Sequence, residues 1–183
     1  MITVWIKIIE DGISNDYETK SKWIAALFIL VGLTIAFYAL FSPQTPSTIL
    51  GVSLTVTGLL SAYLTAKLNL NIPVSWLKSL LIFFTGIFIL FIGLDTLATI
   101  GLVVGLFFLF GTFNNLYLTY LTRKSPTAIA WFLHAIVSAT FAIEILLNID
   151  ALTGTEISLY VAINLIADAL AVLYSGRTIF IRP

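Results

Sequence analysis

The chain has no cysteine, one histidine and one methionine, and charged residues make up only 10% of its 183 positions. Without cysteine there is no disulfide, thiol nucleophile or thiolate metal site. A lone histidine leaves no cluster for a zinc-type centre. Nine basic and nine acidic residues cancel, so there is no basic footprint for nucleic acid. A soluble domain of this size could not cover its surface with so few charges. There is no HExxH motif, phosphate-cradling glycine loop or GxSxG turn. The expectation is a protein that is not an enzyme and needs no cofactor or metal.

What is abundant is apolar: 60% of residues are hydrophobic and the mean hydropathy is +1.07. They fall in runs long enough for helices that cross the hydrocarbon layer, which takes about 20 residues. The spacing predicts an all-α polytopic membrane bundle of six spans, at roughly 22–41, 48–68, 74–94, 97–121, 127–147 and 156–177. Membrane lipids are then the surrounding partner, and no soluble partner is identifiable. Pro43 and Pro46 end the first span. Asn71 with Pro73, and Ser125 with Pro126, read as cap-plus-proline starts. Asp95 leaves almost no loop between the third and fourth spans, and Thr153 to Glu156 fits a capping box. Residues 1–21 contain four acidic residues and no cleavage pattern. They are expected to form a cytoplasmic or interfacial segment anchored by Trp5, with partner docking as the alternative.

All nine Lys and Arg fall on one side of these spans: Lys7, Lys20, Lys22, Lys67, Lys78, Arg123, Lys124, Arg177 and Arg182. The opposite connections hold Asp95, Asp150 and Glu156. Basic residues stay on the cytoplasmic side, so both termini are expected in the cytoplasm of a multi-pass cell-membrane protein. Trp23, Trp76 and Trp131 each stand near the cytoplasmic start of an odd-numbered span, 53 and 55 residues apart. The spacing predicts three helical hairpins in parallel repeat, about 22–68, 74–121 and 127–177, around a pseudo-threefold axis.

Helices surrounded by lipid associate where small residues let backbones approach. Gly51 and Gly58, Gly86 and Gly93, Gly101 and Gly105, and Gly111 are the expected packing positions, joined by a stripe of Ala135, Ser138, Ala139 and Ala142. Intramolecular packing is the first reading of these, a homo-oligomer face the second. Ionisable residues inside spans are costly and mark sites. His134 and Asp168 each lie about 14–17 Å from their basic flank at 1.5 Å per residue, near mid-membrane. Asn114 and Asn115 reach a similar depth, and Asn164 shares a face of the sixth span with Asp168. This predicts a mid-membrane polar cluster of His134, Asp168, Asn164, Asn114 and Asn115. It reads either as a staple between helices or as a pH-sensitive pair or proton relay. Glu144 stands about 15 Å beyond His134, too far for direct transfer.

Residues 28–64, FILVGLTIAFYALFSPQTPSTILGVSLTVTGLLSAYL, carry a glycine, loop proline, glycine, glycine pattern in Gly32, Pro43, Gly51 and Gly58. With six spans in three hairpins, this resembles the HdeD family (the DUF308 group) of bacterial acid-resistance membrane proteins. Gly86, Gly105 and Gly111 repeat the pattern more weakly, and the third hairpin has Asp168 where the others have Gly58 and Gly111. The resemblance implies a non-enzymatic integral membrane protein tied to acid or membrane stress, with no catalytic residues to carry over. The alternative is a small transporter or proton-conducting channel using the His134 and Asp168 pair.

Overall fold

The computed structural model describes the backbone of residues 2–41, 46–67, 73–91 and 97–178. These residues form six helices: α1 (Ile2–Phe41), α2 (Pro46–Lys67), α3 (Pro73–Phe91), α4 (Leu97–Leu121), α5 (Thr127–Leu147) and α6 (Gly154–Thr178). No strand occurs among the described residues. Four stretches, Ser21–Phe41, Leu97–Leu121, Thr127–Leu147 and Gly154–Tyr174, are long and apolar enough to cross a membrane. The apolar stretches Thr48–Tyr63 of α2 and Ser79–Phe91 of α3 are shorter.

The helix boundaries follow local chemistry. Pro46 and Pro73 each occupy the first residue of a helix, where the missing N–H is no loss. At α6 the capping box closes: the Thr153 N–H donates to Glu156 Oε2 at 2.7 Å, and the Glu156 N–H donates to Thr153 Oγ1 at 3.2 Å. The start of α5 is looser. Its boundary residue is Pro126, and Ser125 Oγ accepts from the Thr127 N–H at 3.4 Å. No proline interrupts residues 2–21, and α1 runs unbroken for 40 residues, about 60 Å at the helical rise, so they continue the first helix. Pro43, Asn71, Gly93 and Asp95 lie outside the described residues.

The most extensive interfaces are α1 with α6, α2 with α3, and α4 with α5. The expected hairpins α1–α2 and α3–α4 pack less closely, with α5–α6 intermediate. Loop connectivity does not select the partner; close backbone approach does. A Cβ placed on Gly58 would lie 2.7 Å from Cβ of Phe83 on α3, and one on Gly86 would lie 2.8 Å from the Gly51 carbonyl oxygen on α2. Gly51 fits against Leu90 in the same seam. A Cβ on Gly105 of α4 would lie 2.9 Å from Leu146 of α5, and one on Gly32 of α1 would lie 2.9 Å from Ile166 of α6. Glycine notches thus mark each of the three main pairs. Gly101 is looser, with its nearest neighbour at 3.4 Å.

Helix α6 also meets α2, α4 and α5, which puts it at the centre of the bundle. Half of its apolar window is buried, against 28% for α5. The three helix pairs are therefore not equivalent in packing. The main core joins Leu54, Ile82, Val104, Phe108, Ile145, Ile157 and Leu165, and a second cluster at the other end joins Ile24, Ala25, Phe28 and Ala169.

The surface is that of a chain whose solvent is apolar. Phe37, Phe91, Phe113 and Leu147 point outward, while Thr57, Ser79, Asn115, Ser138 and Asp168 are buried. Hydroxyls that face lipid or core are satisfied locally: Thr34, Thr55, Thr57, Thr112, Thr119, Thr140 and Ser158 each donate to the carbonyl four residues earlier.

Candidate functional site: a polar cavity among α4, α5 and α6

Asp168 and Asn164 are four residues apart on α6, so they share one face of the central helix. His134 and Ser138 have the same spacing on α5 and meet that face. Ser138 Oγ donates to Asn164 Oδ1 at 2.7 Å, and His134 Nε2 lies 3.3 Å from the same oxygen. The other imidazole nitrogen, Nδ1, stands 3.6 Å from Asp168 Oδ1. That is ion-pair range and longer than a direct hydrogen bond. His134 is 3% exposed and Asp168 2%, so water at the surface does not screen their contact.

Asn114 and Asn115 come from α4. Adjacent residues on a helix point about 100° apart, so burying both requires neighbours on two sides. Helix α4 has them, because it packs on α5 and also meets α3 and α6. Both asparagines are buried, and among the described residues neither Oδ1 nor Nδ2 of either has a hydrogen-bond partner.

These side chains line one cavity with Gly111, Phe107 and Phe110 of α4, Leu81 and Ile82 of α3, and Leu165 of α6. It leaves about 10 Å³ for the centre of a water molecule. Every member of the predicted polar cluster is on its wall: His134, Asp168, Asn164, Asn114 and Asn115.

Two residues differ from the packing role expected of them. The Ser138 hydroxyl belongs to the polar network, as its i+4 spacing from His134 allows. Gly111 was placed among the packing glycines, but a Cβ there would meet only Ser138 Oγ, at 4.0 Å. It widens the cavity instead of admitting a neighbouring backbone. Gly58, by contrast, is pressed against Phe83, so one of the two glycines serves packing and the other space. The contribution of Leu81 and Ile82 had no sequence signal, since nothing in α3 marks which apolar residues face a polar site.

Above the cavity an aromatic run ties the three helices together. Phe108 and Phe141 have ring centroids 5.9 Å apart, and Phe141 stacks on Tyr160 at 4.8 Å. Among the described residues no group of three or more His, Asp or Glu is arranged to hold a metal ion. No family model, curated protein or solved structure matches the chain.

Proposed function

We propose that this chain is a non-enzymatic integral membrane protein of the HdeD type that supports survival under acid or membrane stress. In this reading six spans cross the cytoplasmic membrane, with both termini in the cytoplasm and the basic residues on that side. The family part of the reading rests on the residue pattern of 28–64.

The observation that supports a pH-linked role is the buried His134–Asp168 contact of 3.6 Å. A proton on either atom turns a repulsion between lone pairs into an attraction, so the fit of α5 on α6 depends on protonation. Among the described residues no other titratable side chain lines the cavity: α4 offers Asn114 and Asn115, and α3 offers Leu81 and Ile82. The Ser138 hydroxyl is directed at Asn164.

The test is survival of acid challenge by cells lacking the protein and complemented with the wild type or with Asp168→Asn, at matched membrane levels. The wild type restores survival and Asp168→Asn restores little of it. Full rescue by Asp168→Asn removes the pair from the mechanism. A proton-conducting channel or small transporter is the second reading, favoured by polar side chains from three helices meeting at one level. A cavity with room for a single water does not pass a solute in this conformation. Proton flux in proteoliposomes, abolished by Asp168→Asn, would favour the channel.

A further inference from the structure

We infer that the cavity among α4, α5 and α6 binds one internal water molecule, held by the side-chain amides of Asn114 and Asn115 and shared with the wall that carries His134 and Asp168. Asn114 is 8% exposed and Asn115 0%, and among the described residues all four of their amide heavy atoms lack a partner. A buried polar group left in this state is destabilising by its full desolvation penalty. Surrounding lipid supplies no compensation. Two leucines would avoid that cost, so the asparagines need an occupant.

The chemistry of the orphaned atoms selects it. Each amide presents one acceptor, Oδ1, and one two-proton donor, Nδ2. A metal cation would satisfy only the oxygens and an anion only the nitrogens. An apolar guest would satisfy neither. Water donates and accepts. Interchanging the amide oxygen and nitrogen of either residue leaves the inference intact, because both atoms of each are orphaned.

The available space agrees. About 10 Å³ for a water centre is the lower bound for one molecule, and it excludes larger amphiprotic solutes. Additional partners stand on the same cavity wall in the Asp168 carboxylate and the His134 ring. The result is one hydrogen-bonded unit running from α4 through water to His134, Asp168, Asn164 and Ser138. It links α4 to the central helix, with which α4 has little direct packing. This assignment concerns the same cavity as the proposed function but does not rest on the stress reading.

The test uses the full chain in lipid nanodiscs with ¹⁵N-labelled asparagine and histidine. Solid-state NMR then reads magnetisation transfer from water to side-chain nitrogens. Both Asn114 and Asn115 Nδ2 groups are expected to receive it despite their burial. Asn115→Leu, which fills the space, should abolish transfer to Asn114 and move the His134 ring resonances, while the Asn164 side-chain signal stays in place. Asn115→Ala, which enlarges the cavity and perturbs packing less, should keep the transfer to Asn114. Absence of transfer to both asparagines in the wild type overturns the inference. So does an Asn115→Leu protein that is as stable as the wild type with His134 resonances unmoved. Loss of acid protection with the water signal retained would sink only the stress reading.

Discussion

Single atoms separate the roles of Gly58 and Gly111. Gly58→Ala would push a methyl group into Phe83, at 2.7 Å from its Cβ. Overpacking of that kind costs about 1–3 kcal/mol. Gly111→Ala meets only Ser138 Oγ at 4.0 Å, and Ala is the better helix former by about 1 kcal/mol. Thermal unfolding in detergent is therefore expected to show Gly58→Ala melting below the wild type and Gly111→Ala at or above it. Asn164 is the other residue whose loss has a defined consequence. Its Oδ1 receives Ser138 Oγ and faces His134 Nε2, so Asn164→Leu strands two buried groups. It is expected to destabilise by about 1–3 kcal/mol, and Ser138→Ala by less, since that change removes a donor and strands only part of one acceptor. Equal melting temperatures for Asn164→Leu and the wild type would show that the network contributes nothing to stability.

Helices show how local and tertiary signals divide. The start of α6 is written in four residues, and the hydrogen bonds of its capping box need nothing beyond them. Thr153→Ala removes one half of the box. Hydrogen exchange at the first-turn amides of α6 is expected to quicken by roughly fivefold to tenfold, as for a cap of about 1 kcal/mol. Exchange in the middle of α6 should not change. Pairing of helices is a different matter. Gly32 on α1 gives no hint that its neighbour is Ile166, more than a hundred residues later. Cysteines at Gly32 and Ile166 in this cysteine-free chain are expected to cross-link within one molecule. Failure of that pair, with ready cross-linking of α1 to α2 instead, would restore the sequential hairpin.

For the molecule as a whole, the arrangement is a bundle centred on α6, with α1 closing back onto it from the far end of the chain. The absence of cysteine makes orientation directly testable. Single cysteines near residues 45, 95 and 152 should react with an impermeant thiol reagent added to intact cells, and one at Lys124 should not. The reverse pattern would invert the bilayer placement of every residue named above.

Helical class and the cap of α6 were legible in the sequence because each depends on a local quantity: apolar run length, and proline and cap chemistry. His134, Asp168, Asn164, Asn114 and Asn115 could be brought to one depth by counting 1.5 Å per residue. Counting gives height along a helix; it does not give azimuth around the bundle or which helix lies alongside. Those depend on how closely two distant backbones can approach, a property of pairs of surfaces. Only the tertiary structure therefore decided that α6 is central, that Gly111 opens space while Gly58 closes it, that Ser138 belongs to the network, and that two adjacent asparagines both face inward.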